Sequence, residues 1–314
     1  MDLDKPDALE EGTPFSIWKR VLGFCVGFGL LGVALWVVLA NRETVVGAFG
    51  QAAHAPLWLV VLAVVLPIAH WHLTSVVFWL VTRRFGMVRF GEMHLIIGAA
   101  SLLNYLPLRP GLFGRIAYHK RVNGIRVKDA VRVTVVCGVL AGVANGLALG
   151  VALAGYEADT ILAWAIVTSP VIVIVGAGIG LSIWSGSIFT RSASMTLALG
   201  ARYADALVWI VRYAVAFALI GRPITPMQAT VFAAAAQLAM MVPFVGNGLG
   251  VREWAIGLSL PLMEKDAAKT VGLTADLLNR AVEILSAVPI GLVCLAVLAR
   301  ERRKRRKSGQ LKSG

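Results

Sequence analysis

Charged residues are scarce in this sequence. Asp, Glu, Lys and Arg make up 15% of the 314 residues, against about 25% in a soluble globular chain. Hydrophobic residues make up 58%, which exceeds the ~45–50% typical of soluble chains. This balance argues against a water-soluble enzyme or binding domain. It favours a protein whose helices are surrounded by lipid.

Cysteine is also rare, and Cys25, Cys137 and Cys294 each stand alone in a different apolar run. No CxxC or Cys/His ligand spacing occurs, so the sequence predicts neither a disulfide framework nor a metal site. His70 and His72 lie two positions apart on a predicted helix and point to different faces, so they are not a ligand pair. The GxSxG, Walker A and HExxH motifs are missing. We therefore expect no enzyme activity, no catalytic residue and no cofactor.

Basic residues outnumber acidic ones, but their position is more informative than their number. The net charge is +13. The basic residues cluster between or after apolar runs, as is typical of cytoplasmic loops under the positive-inside rule. Nucleic acid is therefore not an expected partner, since its recognition would need a basic patch on a folded surface.

Six apolar runs are long enough to cross the ~30 Å hydrocarbon core as helices, and they lack the alternation of barrel strands. The runs are Trp18–Ala40, Leu57–Leu80, Ala130–Ala154, Ile161–Trp184, Leu197–Ile220 and Thr270–Ala299. The first follows an acidic segment, unlike a cleaved signal peptide, so we expect it to be a permanent span. The predicted organisation is one membrane domain at 18–299, between an acidic cytoplasmic segment at 1–17 and a basic cytoplasmic tail at 300–314.

Two further apolar stretches are broken by proline and glycine. Met93–Lys120 contains PLRPGLFGR, and Met227–Met263 contains PFVGNGLGVRE. Each arm is short for a span, and a break at membrane depth needs protein or water around it. We expect two re-entrant hairpins, which with the six spans give an all-α polytopic protein of about eight membrane segments. Two full spans with a proline kink are the alternative.

The charge distribution agrees with hairpins that return to the side from which they entered. If both termini face the cytoplasm, the Arg- and Lys-rich connections also fall on that side, as orientation by positive charge requires. The separation between Pro107 and Pro243 equals that between Gly114 and Gly250. Oppositely oriented broken segments of this kind indicate an inverted repeat and a transporter's midplane site. The expected location is a bacterial cytoplasmic membrane.

Charged residues inside predicted spans are costly and mark either function or an internal ion pair. Four residues of the fifth run share one helical face: Arg202, Asp205, Trp209 and Arg212. A structural pair of Asp205 with Arg202 or Arg212 is one interpretation, and an anion-contacting stripe in a cavity is the other. In the last run, Arg280 and Glu283 lie three residues apart, where an intrahelical ion pair or a site facing the protein interior is expected.

The second break carries the densest functional signal. Its glycines permit tight turns and close approach to a ligand, and the helix that begins near Gly250 presents free N–H groups to an anion. Arg252 adds a bidentate donor for phosphate. Glu253 either orients Arg252 or binds a counter-ion. The candidate residues are Asn247, Gly248, Gly250, Arg252 and Glu253. The first break offers Arg109 and Arg115. A purely structural elbow, and a positive-inside anchor at Arg115, are the alternatives.

These elements resemble the membrane region of lysylphosphatidylglycerol synthases and their stand-alone relatives, the flippase-like domain family. The resemblance rests on PLRPGLFGR, PFVGNGLGVRE and LLNRAVEIL and covers roughly Trp18–Ala299. It implies movement of an anionic or aminoacylated phospholipid between leaflets. Because no soluble aminoacyltransferase segment follows the last run, we expect a stand-alone relative. The first break lacks the acidic residue that many relatives carry beside the arginine.

The sequence thus predicts a lipid translocase whose partners are membrane phospholipids. A head group would enter between the hairpins, with its phosphate at Arg252 and the helix end at Gly250. A secondary transporter or channel for a small solute or ion, coupled through Asp205 and Glu283, is one alternative. An accessory subunit of an envelope lipid or glycan enzyme is another, and a membrane protein partner or a homo-oligomer is compatible with all three.

Overall fold

The computed structural model describes residues 51–307 except 107–108, 156–157, 242–245 and 265–267, with a few isolated positions before residue 51. The α-helices are α1 (Leu57–Thr82), α2 (Phe90–Leu103), α3 (Pro110–Val122), α4 (Val127–Ala154), α5 (Thr160–Ser185), α6 (Arg191–Leu219), α7 (Pro226–Met241), α8 (Val251–Met263) and α9 (Lys269–Lys307), and Gly246–Gly248 form a 3-10 turn. No β-strand occurs in this part of the chain, so the all-α prediction is confirmed. The predicted segment 1–17 and nearly all of the run Trp18–Ala40 lie outside the described residues.

Four helices are long and apolar enough to cross a membrane by length and composition: α1, α4, α5 and α9 over Lys269–Glu301. They correspond to four of the predicted runs. Their apolar side chains face outward, as Ile172, Val173 and Ile183 of α5 show with exposures of 74%, 69% and 77%. Such outward-facing apolar surface fits a membrane protein, because lipid and not water is the favourable contact for it.

Helix α6 carries the charged stripe of the fifth predicted run and lies inside the bundle. It packs against α1, α4, α5, α7 and α9. The stripe is buried along its length, which confirms that its residues share one inward face. Charges in an apolar bundle are tolerated where protein partners surround them, and α6 is placed where such partners are available.

Each broken stretch forms two short helices that pack against each other, α2 with α3 and α7 with α8. Among the described non-glycine residues, the two with positive φ are Arg109 at 48° and Asn247 at 50°. One lies in each break. Each break therefore contains a left-handed backbone conformation that few side chains adopt.

The arms of the first broken stretch approach closely at Gly111. A β-carbon there would overlap the carbonyl oxygen of Ala100 on α2, and the Leu112 N–H donates to Asn104 Oδ1 at 3.0 Å. Glycine is thus required for the contact between the arms.

At the other end of the chain, α9 runs to Lys307, so the basic tail begins as a continuation of the last helix beyond the predicted boundary at residue 299.

Gly111→Ala should destabilise the protein by about 1–3 kcal/mol, because the added methyl group forces α2 and α3 apart. Gly114→Ala is the matched control on the same helix, since a β-carbon there meets no atom within 4 Å. Unfolding of the purified protein in detergent, followed by circular dichroism, measures both. Equal stability of the two variants would contradict the close packing of the arms.

Candidate functional site

The carboxylate of Glu283 on α9 accepts hydrogen bonds from four side chains. Its Oε1 atom accepts from the Tyr105 hydroxyl at 2.6 Å and from Asn247 Nδ2 at 3.2 Å. Its Oε2 atom accepts from Arg212 at 2.7 Å and from Arg252 at 3.1 Å. Tyr105 lies just before the first break, in the same broken stretch, and Asn247 lies in the second break. Glu283 therefore joins both breaks, α6 and α8 to the last helix.

Asp276, two turns before Glu283 on α9, holds the other side of Arg252. Its Oδ2 atom accepts from Arg252 Nε at 3.1 Å, and its Oδ1 atom accepts from the Tyr213 hydroxyl at 2.7 Å. The guanidinium of Arg252 is thus placed between two carboxylates, and its side chain is 0% exposed. Charge-assisted bonds of this kind are the strong ones in a low-dielectric interior.

Arg212 is held by three different groups. Beyond Glu283, its Nε atom donates to Asn279 Oδ1 at 3.1 Å. Its guanidinium carbon lies 4.2 Å from the centre of the Trp209 ring, which adds a cation–π contact. Arg212 and Trp209 belong to the predicted stripe of α6, and the stripe therefore supplies one wall of the Glu283 site.

Arg280 and Glu283 of the last predicted run both form ion pairs, but with residues of other helices and not with each other. Arg280 pairs with Glu253 of α8, and Glu283 pairs with Arg212 and Arg252, so the intrahelical Arg280–Glu283 pair is not observed. Neighbouring helices supply opposite charges to both residues, and these tertiary pairs replace the local one. Glu253 is fully buried and holds Arg280 rather than Arg252.

Asp205 pairs with Arg202 and not with Arg212. Its Oδ2 atom accepts from Arg202 at 2.9 Å, and its Oδ1 atom lies 2.5 Å from His70 Nδ1 on α1. The first of the two structural pairs predicted for Asp205 is therefore observed. The histidine was not predicted as its partner.

The arginines and carboxylates that form ion pairs within and between α6, α8 and α9 are equal in number. Four arginines and four carboxylates face one another among the helices. They are Arg202, Arg212, Arg252 and Arg280, with Asp205, Glu253, Asp276 and Glu283. An unpaired charge at such depth costs several kcal/mol, so the balance is the condition under which this interior folds.

A cavity of about 200 Å³ lies beside the Glu283 carboxylate, between α1, α2, α9 and the two breaks. Its polar lining includes His70, Ser101, Asn104, Tyr105, Asn247 and Glu283. The Glu283 side chain is 12% exposed, whereas those of Arg212 and Arg252 are 1% and 0% exposed. The cavity wall therefore presents the carboxylate, and the guanidinium groups lie behind it.

The remaining predicted residues shape the breaks or lie elsewhere. Gly248 and Gly250 have φ values of 68° and 78°, and α8 begins directly after Gly250, as predicted. Arg109 donates to the carbonyl oxygen of Met240 at 2.7 Å, which joins the first break to the end of α7. Arg115 is apart from this site: it donates to Thr134 at 2.9 Å.

Several residues of the site were not singled out from the sequence. They are Tyr105, Tyr213, Asp276 and Asn279. His70 was considered only as a possible metal ligand with His72, and not as the partner of Asp205. A signal for the α9 residues is present, because Asp276, Asn279 and Glu283 follow the i, i+3, i+7 spacing of one helical face. The only sequence feature that indicates a role for Tyr105 is its position just before the first proline break. No cluster of three metal-ligating side chains occurs among the described residues.

No protein-family model, curated protein or solved structure matches this chain. The chemistry of the site therefore rests on its own geometry: a polar cavity inside apolar helices, with a carboxylate on its wall and two cations behind that carboxylate.

Arg280→Met should destabilise the protein by about 3–5 kcal/mol, because it leaves the buried Glu253 carboxylate without its cation. The double variant Glu253→Met/Arg280→Met should lose less than the sum of the single losses, by about 0.5–3 kcal/mol. Denaturation in mixed micelles gives the three values.

Arg126→Met is the control for this cycle. It also removes an arginine from an ion pair, but this arginine side chain is 71% exposed, so little change is expected. Additive losses for Glu253 and Arg280 would show that their pairing does not stabilise the bundle.

Proposed function

We propose that the protein moves the head group of an anionic or aminoacylated phospholipid, or of a related envelope lipid, between the leaflets of a bacterial cytoplasmic membrane. The observation that carries this proposal is the polar cavity at the meeting point of both breaks. Ionisable groups buried among apolar helices mark substrate pathways. Broken helices are where membrane transporters build such sites.

The proposed topology has six spans and two re-entrant hairpins in an inverted repeat, with both termini in the cytoplasm. Three contacts support it. Each broken stretch forms a packed pair of short helices, Arg109 of the first break bonds to Met240 beside the second, and Glu283 accepts from both breaks. Two hairpins whose tips meet would give a head group access from either leaflet.

Glu283 occupies the position that a phosphate would take. Its oxygens collect two guanidinium groups, a phenol and an amide, and the same donors suit a phosphate group. In the proposed exchange, the phosphate of the head group replaces the Glu283 carboxylate at Arg212 and Arg252. The released carboxylate then pairs with the ammonium group of an aminoacylated lipid. The lipid tails stay in the bilayer throughout.

The exchange also explains how binding would move the hairpins. While Glu283 is in place, it ties Tyr105 and Asn247 to the same helix. When a head group takes its place, these ties are lost and the hairpin tips are free to separate. Interactions that the substrate must replace are an efficient way to couple binding to a conformational change.

A second candidate is a secondary transporter for a small solute, with Asp205 and Glu283 as coupling groups. The specific observation in its favour is the cavity volume of about 200 Å³, which is below the ~300–1,000 Å³ of pockets for larger ligands. It predicts uptake of a water-soluble solute or ion without movement of lipid.

The test is lipid movement in liposomes that contain the purified protein. Because the cavity is small, the fluorescent label belongs on one acyl chain of phosphatidylglycerol, where it leaves the head group unchanged. A membrane-impermeant reductant then reports each lipid that reaches the outer leaflet. Glu283→Gln should slow the movement at least about tenfold, because a neutral amide cannot displace the phosphate from Arg212 and Arg252 again and the head group stays bound.

Glu92→Gln is the matched control. Glu92 also accepts from a tyrosine, the Tyr118 hydroxyl at 2.8 Å, but it does not line the cavity. Its variant should move lipid at the wild-type rate. If folded wild-type protein moves no lipid, with or without an ion gradient, the translocase proposal is wrong. Solute or ion flux in the same liposomes would then support the second candidate.

A further inference from the structure

His70 is a titratable residue on the cavity wall that the exchange at Glu283 does not use. Its Nδ1 atom lies 2.5 Å from Asp205 Oδ1 and 3.2 Å from Trp209 Nε1. The 2.5 Å contact places a hydrogen between Nδ1 and the carboxylate, because two acceptors do not approach so closely. The Trp209 indole N–H, which is only a donor, points at the same nitrogen from 3.2 Å. Both bonds cannot use Nδ1 at once, and we assign its hydrogen to the shorter contact with Asp205. The other ring nitrogen, Nε2, is then an acceptor when the ring is neutral and a donor when the ring is protonated.

The carboxylates that face His70 are already paired with arginines. The protonation of His70 therefore sets the net charge of the cavity wall. From α6, His70 meets Asp205, which Arg202 already neutralises. Across the cavity lies Glu283 of α9, which Arg212 and Arg252 hold.

Apart from Glu283, the residues that other elements contribute to the cavity lining beside His70 are neutral. Ser101 of α2, Asn104 directly after α2 and Asn247 of the second break contribute neutral side chains to the lining. Helix α4, which also packs against α1, has no residue in this lining. Arg109 of the first break remains a cation when it bonds to the Met240 carbonyl, but it lies outside this lining. An imidazolium at His70 would share the Asp205 carboxylate with Arg202, so it would add to the cavity wall a positive charge that has no carboxylate of its own.

We propose that His70 admits the anionic head group, and that the head group enters the cavity together with one proton bound to His70. This inference rests on the proposed function. The negative charge of a phosphate compensates the imidazolium, so each favours the binding of the other, and the coupling is reciprocal. Asp205 holds the ring so that Nε2–H is the donor, a positioning role. The affinity for an anionic lipid therefore rises as pH falls.

The chain contains a matched comparison two residues away on the same helix. His72 faces another direction: its Nδ1 atom lies 2.9 Å from His94 Nε2 of α2, and it is exposed and outside the cavity lining. Both histidines have the same chemistry and lie at similar depth on α1. His70 alone of the two can respond to a ligand in the cavity.

The experiment measures binding of a short-chain phosphatidylglycerol to the full chain in detergent, by calorimetry between about pH 5.5 and 8. The phosphodiester stays ionised across this range. Measurements in two buffers of different ionisation enthalpy count the protons taken up. Wild-type protein and His72→Gln should take up as much as about one proton per bound lipid, and their affinity should fall as the pH rises, by up to about tenfold per pH unit.

Two variants of His70 distinguish an effect of the charge on its side chain from an effect on the fold. His70→Gln should bind weakly at every pH and take up no proton. His70→Lys carries a lasting positive charge, so it should bind the lipid at high pH about as tightly as wild type does at low pH, again without proton uptake. Far-ultraviolet circular dichroism and thermal unfolding confirm that each variant is folded.

The outcomes are distinguishable. If wild-type protein binds the lipid with an affinity that does not change with pH and takes up no proton, the role of His70 is wrong and the translocase proposal stands. The same conclusion follows if His72→Gln loses the proton uptake and His70→Gln keeps it. If folded wild-type protein binds no lipid at any pH, the proposed function itself fails.

Discussion

The hydrogen bonds to Glu283 are the interaction on which the inner arrangement of this protein depends. They join α9 to α6, to α8 and to both breaks through one carboxylate. The two breaks lie far apart along the chain, with three long helices between them, so no local preference brings them together. A charged acceptor that both breaks share brings them together. Removing it would leave Arg212 and Arg252 with too little negative charge around them, in surroundings where water cannot compensate.

Charge balance then determines which helix can occupy the centre. Helix α6 carries Arg202, Asp205 and Arg212, which lipid would not tolerate at this depth. The more apolar helices α1, α4, α5 and α9 can face lipid, and all four pack against α6. Carboxylates on α8 and α9 complete the balance. The arrangement is thus lipid-compatible helices around a polar interior in which these arginines and carboxylates are paired.

Features that depend on interactions between residues close in sequence could be predicted, and features that depend on packing of distant segments could not. The inward face of α6 was predictable because the spacing of Arg202, Asp205 and Arg212 depends only on helical geometry. The breaks were predictable because proline and glycine act locally. The partners were not: Tyr105 and His70 reach the site only through packing of distant segments. The same reason makes an Arg280–Glu283 pair a poor expectation, since tertiary neighbours on α6 and α8 offered both residues better partners.

The backbone at the breaks connects this stability to the proposed function. Arg109 and Asn247 adopt positive φ, a conformation that costs of order 1–3 kcal/mol for such residues and persists where surrounding contacts hold it. Asn247 is held by Glu283, and Arg109 by the Met240 carbonyl. A head group that displaced Glu283 would remove one of these restraints while restoring the charge balance. The strained break could then relax without exposing an unpaired arginine, so the contact that stabilises the closed arrangement would also be the one through which a substrate opens it.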